Sequence, residues 1–369
     1  MLAKFEEIIN NRHQIAQGWK AAGKKVIGYF CIYTPEEVLY AAGILPVRIM
    51  GINEPPSQAD THIQPFYCPL SRSVLDQGLR GDYHYLDGLV TAYSCDTYRG
   101  IFNIWLYNLA PPFARILGMP SMLNVPEAQT LLVHELEEFK KSLEDAFGHD
   151  ITDEALRHAI EVYNTSRSLL RKIYQLRQQS PPTITGTEVL AVILSSMLAP
   201  KETHNQLLTD LLPELTNRGN TARNNDVPRL MLIGSEMDNL DIIRLIEEPG
   251  AVVVADDLCT GSRYFWNDCA TEEDPLEALA RRYLNIIPCP TKYPIQPKYE
   301  HILGMMDKFG VQGVIILLQK FCNPHEFEFP YLQSLLKAHQ VPFVCIEVDT
   351  TYSAEEIQNQ AEALIERIA

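Results

Sequence analysis

Three cysteines stand where a predicted strand or turn gives way to a helix. Cys68 begins a helix in PFYCPLSRS, Cys95 follows a strand in AYSCDTYRG, and Cys322 follows a strand in QKFCNPHEF. A thiolate at such an edge meets unpaired backbone N–H groups and the positive end of the helix dipole, which should lower the thiol pKa and supply hydrogen bonds to sulfide. These positions predict ligands of an iron-sulfur cluster, and plain core filling is the alternative for each thiol taken singly.

The other five cysteines divide into two groups. Cys31 and Cys259 end strands at similar edges, and Cys289 lies between two prolines, so these three are candidate additional ligands. Cys269 and Cys345 are weaker candidates, and the latter is expected to pack inside a strand. Because no CxxC pair occurs, zinc-ribbon and ferredoxin spacings are absent. Any metal site must therefore be assembled by folding from residues distant in sequence.

Two ionisable residues follow Cys322 within one helical turn. His325 and Glu326 are candidate catalytic residues, because an imidazole and a carboxylate beside a bound group can move protons. Glu36 and Glu37 are expected to be ordinary first-turn helix acids. Two arginines, Arg99 and Arg263, either pair locally or meet an anionic ligand.

One near-match to a nucleotide motif occurs at residues 18–25, GWKAAGKK. It ends in Lys where a Ser or Thr should hold magnesium, and it lies between a helix and a strand in the wrong order for a P-loop. We reject it, so any ATP requirement belongs to a partner. GxGxxG, HExxH and GxSxG motifs are also absent.

The elements that must position these residues alternate between strand and helix in residues 1–126. After an amphipathic opening helix, a buried strand is predicted at 24–31. Thr34 should cap the next helix, with Pro35 at its first position and Glu37 as the capping-box partner. Further strands and helices follow in turn to residue 126.

A helical connector with a polar linker at 217–228 is predicted for residues 127–227, and alternation resumes in 228–369. Its last helix should be capped by Ser353, with Glu356 three residues on. Such alternation predicts an α/β fold with parallel sheets and ligands beyond the carboxyl ends of their strands. The two α/β halves look like loose duplicates.

Composition excludes several classes of protein. The 369 residues carry 31 basic and 47 acidic side chains, a net charge of −16, which argues against nucleic acid or an anionic membrane as partner. No apolar run is long enough to span a bilayer and the N-terminus is unlike a signal peptide, so we expect a cytoplasmic protein. Eight cysteines in such a chain do not imply disulfides.

Five segments together resemble the 2-hydroxyacyl-CoA dehydratase and benzoyl-CoA reductase family: GYFCIYTPEEVLYAAGILPVRIMG, YCPLSRSVL, SCDTYRG, VVADDLCTGSRYF and QKFCNPHEF. The similarity covers nearly the whole chain in the right order. It implies two flavodoxin-like domains and a 4Fe-4S cluster between them, with Cys68, Cys95 and Cys322 matching the family's ligands. It also implies a homologous partner subunit, as homodimer or heterodimer, and a separate ATP-hydrolysing iron-sulfur activator.

The resemblance does not decide between several branches of the family, which belong to anaerobic metabolism. HIQPFYCPLSRS and DDLCTGSRYF are more similar to the benzoyl-CoA reductase type, which implies single-electron reduction of an aromatic CoA thioester. The dehydratases instead eliminate water from a 2-hydroxyacyl-CoA. A third branch holds an 8Fe double-cubane cluster and reduces small molecules such as acetylene; its six cysteine positions match Cys31, Cys68, Cys95, Cys259, Cys289 and Cys322. A scaffold or electron-transfer subunit is the further alternative.

Overall fold

The computed structural model describes residues 1–218 and 227–368. Two four-stranded parallel sheets form its framework. The first sheet contains β1 (Lys25–Tyr29), β2 (Ile44–Arg48), β3 (Gly88–Ala92) and β4 (Phe113–Leu117). The second contains β5 (Arg229–Gly234), β6 (Val252–Asp257), β7 (Gly313–Gln319) and β8 (Phe343–Val348). The expected α/β fold with two flavodoxin-like parallel-sheet domains is confirmed.

Both sheets have the same strand order, β2-β1-β3-β4 and β6-β5-β7-β8. Every residue of β3 and of β7 is buried, as expected for parallel strands covered by helices on both faces. The halves therefore repeat one topology, which agrees with the duplication suggested by the sequence.

Helices surround and connect the sheets. In chain order they are α1 (Ala3–Asn10), α2 (Arg12–Ala21), α3 (Glu36–Ala41), α4 (Pro69–Arg80), α5 (Asp96–Leu109), α6 (Pro126–Phe147), α7 (Asp153–Leu176), α8 (Gly186–Ser196), α9 (Lys201–Asn217), α10 (Leu240–Glu247), α11 (Ser262–Phe265), α12 (Pro275–Asn285), α13 (Gln296–Lys308), α14 (Asn323–Ala338) and α15 (Ala354–Ile368). None of those in the described ranges is long and apolar enough to cross a membrane.

The predicted connector consists of helices α6 to α9 in its described part. A capping box joins Thr185 and Glu188 at the start of α8. Every residue of this helix except Glu188 is buried, and a Cβ at Gly186 would lie 2.5 Å from the Cβ of Val253 in β6. Glycine is therefore required for α8 to pack this closely on the second sheet. Residues 219–226 of the predicted linker lie outside the described residues.

Several local expectations need correction. The opening helix is two helices, because the backbone leaves helical geometry at Asn11. Thr34 does not cap α3: the cap is Pro35, no side chain bonds there, and the Thr34 hydroxyl is buried without a partner in the described structure. Helix α13 was not predicted, since its sequence lacks a clear apolar period. The cap at Ser353 is confirmed by a 3.2 Å hydrogen bond from the Glu356 N–H.

Candidate functional site

The three leading cysteines are N-cap residues. Cys68 precedes α4, Cys95 precedes α5, and Cys322 precedes α14. The last two helices follow β3 and β7, so their caps lie at the carboxyl edges of the two sheets. The predicted strand-to-helix placement of Cys95 and Cys322 and the helix-start placement of Cys68 are confirmed.

The carboxyl edges of the two sheets face one another. Arg48, the last residue of β2, forms a buried ion pair with Glu236 beyond β5, and the Tyr98 hydroxyl donates to the same carboxylate at 2.8 Å. The Gly51 N–H donates to Asp238 at 2.6 Å. These contacts join loops at the ends of strands from different sheets.

Six of the eight thiols interact electrostatically with one another. The thiol of Cys322 is influenced by those of Cys68, Cys289 and Cys95. Cys259 is influenced by Cys289 and Cys31, and Cys31 by Cys289. The six that the structure brings together are Cys31, Cys68, Cys95, Cys259, Cys289 and Cys322.

The two remaining cysteines lie elsewhere. Cys269 exchanges backbone hydrogen bonds with the Asn164 side chain beside α7. Cys345 lies within β8, as its sequence predicts. The main charges acting on the Cys269 thiol are those of Glu37 and Arg167, and Glu347 acts on the Cys345 thiol.

The expected lowering of the thiol pKa values is wrong in direction. Burial raises the pKa of Cys68, Cys95 and Cys322, and that of Cys259 rises to about 12. Desolvation outweighs the helix termini, so these thiols are neutral unless a cation binds them. A bound metal ion reverses this balance, because a coordinating thiol is deprotonated outright.

Three buried cations lie within electrostatic reach of the cysteines. Arg48 lowers the pKa of Cys31, Arg263 lowers that of Cys259, and Lys292 interacts with Cys31, Cys289 and Cys95. They are 1%, 1% and 3% exposed. Such cations can offset the negative charge of several thiolates in a site of low dielectric. Sequence reasoning missed Arg48, which is far from any cysteine in sequence, and Lys292, which follows Cys289 by three residues.

Arg263 belongs to a buried network of charged side chains that extends to His325, three residues after Cys322. Its Nε lies 3.3 Å from Asp257, and Lys298 lies 3.4 Å from the same carboxylate. Lys298 also donates to both oxygens of Glu328, at 2.7 and 2.5 Å, and His325 Nδ1 lies 3.6 Å from that carboxylate. Arg263 thus pairs locally. Arg99, the second arginine whose partner the sequence left undecided, is exposed and also pairs locally, with Asp96 at 3.2 Å.

The two candidate catalytic residues differ sharply in environment. His325 is 6% exposed, and burial, with Lys298 and Arg263 nearby, lowers its pKa well below the ordinary value, so the imidazole is neutral. Glu326 is exposed and accepts a 2.7 Å hydrogen bond from the Phe321 N–H. Phe321 adopts a left-handed backbone with φ of 60°, which a non-glycine residue rarely holds unsupported. Glu326 therefore stabilises the turn that presents Cys322.

The adjacent acids of α3 lie in its first turn, as predicted, and both are buried. Glu37 is fully buried, pairs with Arg167 of α7 and accepts a 2.7 Å hydrogen bond from the Tyr283 hydroxyl of α12. Glu36 is 4% exposed and accepts from two tyrosine hydroxyls. Both carboxylates have partners distant in sequence, which a local helix-start pattern cannot reveal.

Thiol side chains of this kind are chemically compatible with an iron-sulfur cluster. Within the described ranges, no three or more His, Cys, Asp or Glu side chains are grouped to hold one metal ion. Soft thiolate ligands without carboxylates are typical of such clusters.

Comparison with known proteins finds relatives over nearly the whole chain. Over 356 residues the chain is 30% identical to a benzoyl-CoA reductase subunit of Thauera aromatica, covering 94% of this chain and 92% of the relative. It is 28% identical to the beta subunit of (R)-2-hydroxyglutaryl-CoA dehydratase of Acidaminococcus fermentans, covering 100% and 99%. It is 27% identical to the (R)-phenyllactyl-CoA dehydratase beta subunit of Clostridium sporogenes, covering 94% and 92%.

A family model describes the same relationship. The model of the 2-hydroxyglutaryl-CoA dehydratase D-component matches residues 31–368, a range that begins at Cys31 and includes all six converging cysteines. The chain therefore belongs to the 2-hydroxyglutaryl-CoA dehydratase D-component family, whose members include benzoyl-CoA reductase and 2-hydroxyacyl-CoA dehydratase subunits.

Proposed function

We propose that this chain is the iron-sulfur subunit of a low-potential reductase that acts on an aromatic CoA thioester. The observation that carries the proposal is the convergence of partly buried cysteines at the facing carboxyl edges of the two sheets. Similarity to a benzoyl-CoA reductase subunit supports the choice of substrate. Electrons would come from a separate ATP-hydrolysing iron-sulfur activator, because this chain carries no nucleotide motif.

Cys68, Cys95 and Cys322 are the proposed ligands of a 4Fe-4S cluster. When bound, such a cluster supplies electrons one at a time at low potential. Lys292 would offset part of the negative charge of the thiolates, because it is buried and reaches Cys95 electrostatically, whereas Arg48 reaches Cys31. Three protein ligands would leave one iron open to substrate or to a non-protein ligand.

A double-cubane cluster is a second candidate, favoured by one specific observation. Cys31, Cys259 and Cys289 join the same electrostatic cluster of thiols, although a single cubane does not need them. Counting iron per chain separates the two: about four irons indicate one cubane and about eight indicate two. In the double-cubane case Cys289→Ser would lower the iron content, and in the single-cubane case it would not.

A cleft of about 270 Å³ beside α4 is the proposed site for the acyl part of the substrate. It is lined by Leu70 and Ser73 of the helix that Cys68 caps, and by Asp238, Gln319 and Asp349 at the ends of second-sheet strands. This volume accommodates an aromatic ring. The carboxylates disfavour the phosphates of CoA, so we place the CoA moiety outside the cleft.

His325 is the proposed proton-handling residue, with Glu326 retained as the weaker candidate. His325 is buried one turn after Cys322, and its neutral imidazole can give or take a proton where water is excluded. Exposure of Glu326 and its bond to the Phe321 N–H favour a positioning role for that carboxylate.

A homologous subunit is the proposed stable partner, as homodimer or heterodimer. The three relatives are subunits of larger enzymes. Large exposed aromatic side chains also flank the cysteine-bearing turns, which is unusual unless another surface covers them. They are Phe66, Tyr93, Tyr293, Phe321, Phe327 and Tyr331.

The proposed reaction is tested by an anaerobic assay with activator, ATP and three substrates. Ring reduction of benzoyl-CoA would support the reductase. Loss of water from a 2-hydroxyacyl-CoA would select the dehydratase, which the two dehydratase relatives favour. Acetylene reduction alone would select the double-cubane branch. Activity that appears only when a sister chain is added would show instead that this chain serves as a scaffold or electron-transfer subunit.

A further inference from the structure

One buried ammonium beside the cysteines lies without an acidic partner in the described part of the chain. Lys292 belongs to the loop between α12 and α13 and is 3% exposed. Its Nζ donates to the Met119 carbonyl at 3.2 Å and lies 5.3 Å from the centroid of the Tyr33 ring. Among the described residues, no carboxylate lies at salt-bridge distance from this nitrogen. Its positive charge is therefore not cancelled by a direct ion pair there.

The other two buried cations of the site are already paired. Arg48 forms an ion pair with Glu236, and Arg263 Nε lies 3.3 Å from Asp257. A cation in an ion pair adds little net charge at a third group, because the fields of its two partners oppose one another. Of the three cations, Lys292 is therefore the one that brings uncompensated positive charge to the cysteines.

The charge of Lys292 acts on cysteines from both halves of the chain. Burial lowers the pKa of this ammonium, and the thiols of Cys31, Cys289 and Cys95 act in the opposite direction. Thiols that bind iron are deprotonated, and a thiolate favours a nearby cation more strongly than a neutral thiol does. A loaded site would therefore hold Lys292 in its charged form.

Main-chain hydrogen bonds fix the loop that carries Lys292. The Lys292 N–H donates to the Cys289 carbonyl at 2.9 Å, which closes a turn. The Tyr293 N–H donates to the Ser121 carbonyl at 2.8 Å, and the Leu123 N–H donates to the Tyr293 carbonyl at 2.7 Å. These two bonds join the loop to the segment that follows β4 of the first sheet. The ammonium is therefore held beside the cysteines by backbone from both halves.

We propose that Lys292 raises the reduction potential of the cluster held by Cys68, Cys95 and Cys322. The inference rests on the proposed function, because it requires a cluster at these thiols. Reduction adds one negative charge to the cluster, and an uncompensated cation nearby stabilises the reduced form more than the oxidised form. Net charge is one of the factors that set iron-sulfur potentials. Burial keeps this interaction from being screened as a surface charge is.

Redox titration of the anaerobically purified chain, followed by the electron paramagnetic resonance signal of the reduced cluster, tests the proposal without substrate turnover. Lys292→Met keeps the length of the side chain and removes its charge. We expect reduction to become at least about tenfold less favourable, which corresponds to a midpoint potential about 59 mV more negative for one electron. Lys292→Arg keeps the charge and should keep the wild-type potential. An unchanged potential in Lys292→Met would overturn the proposal.

Arg99→Gln is the matched control, since Arg99 lies four residues after Cys95 but is exposed and paired with Asp96. Its potential should equal that of wild type, and a shift as large as that in Lys292→Met would overturn the proposal.

Iron content separates failure of this inference from failure of the proposed function. A wild type without iron would overturn both, whereas wild-type iron with an unchanged potential in Lys292→Met overturns the inference alone. If Lys292→Met does not retain iron, Lys292→Arg decides. Retention of iron at the wild-type potential in Lys292→Arg would support the need for positive charge. Loss of iron in both variants would overturn the proposal, because the shape of the side chain would then matter more than its charge.

Discussion

Replacing Glu37 by Gln should destabilise the fold by about 3 kcal/mol at pH 7. Burial alone would raise the pKa of Glu37, but Arg167 and Arg282, with the Tyr283 hydroxyl, outweigh it and lower the pKa from 4.5 to about 2. At about 1.36 kcal/mol per pKa unit, this preference for the ionised form corresponds to about 3 kcal/mol. The glutamine keeps the size and one acceptor but leaves Arg167 buried without a counter-charge, a loss that typically costs about 3–5 kcal/mol.

The loss of the Glu37 contacts should also affect the candidate site, because Glu37 connects helices that adjoin two of the cysteines. Glu37 joins α3, which follows Cys31, to α7 and to α12, which precedes Cys289. Thermal unfolding is a direct assay: for a chain of this length about 3 kcal/mol corresponds to a fall in Tm of about 4 °C. Glu127→Gln is the matched control, an exposed first-turn acid of α6 that should change stability by less than about 0.5 kcal/mol.

The pH dependence of the stability difference between wild type and Glu37→Gln can refute this reasoning. Because the folded pKa is depressed, the contribution of Glu37 is complete above the unfolded value of about 4.5 and is lost as pH falls toward 2. The difference in stability between wild type and Glu37→Gln should therefore shrink by about 1 kcal/mol between pH 7 and pH 3.5. A difference that stays constant or grows over that interval, or a variant as stable as wild type at pH 7, would refute the reasoning.

Two further outcomes test separate parts of the structure. If the imidazole moves a proton, His325→Gln should lower the rate of substrate turnover, measured with activator and ATP, by about a hundredfold or more. Glu326→Gln should retain most of the rate. Equal losses in the two variants would reject the distinction between these residues. Ser353→Ala removes the side-chain cap of α15, so it should lower the free energy of unfolding by about 1 kcal/mol, measured by denaturant titration. An unchanged free energy of unfolding would show that this cap is dispensable.

Placement of the leading cysteines was predictable because it follows local signals. Pro69 marks the first helical position after Cys68, and buried apolar runs end just before Cys95 and Cys322. Carboxyl ends of parallel strands meet at one edge, so repeated alternation also predicted that cysteines from different strands would converge. Prediction of the two parallel-sheet halves rests on the same regularities, whereas the family was recognised from the resemblance of five sequence segments.

What the sequence did not reveal depends on partners that folding brings from far away. Glu37 has the local pattern of a solvated helix-start acid, and only its pairing with Arg167, 130 residues later, makes it a buried ion. The thiol pKa values follow from burial, which no local motif measures, so the helix-terminus argument predicted the wrong direction. Lys292 joins the thiols through the loop that follows α12, whose path is set by packing.

The central claim is that Cys68, Cys95 and Cys322 hold an iron-sulfur cluster, and iron and sulfide per chain test it most directly. We predict about four irons and four sulfides in the anaerobically purified wild type, and a large loss of both in Cys95→Ser. Cys269→Ser should keep the wild-type content, because that thiol lies apart from the others. A wild type without iron, or a Cys95→Ser variant with undiminished iron and sulfide, would contradict the account.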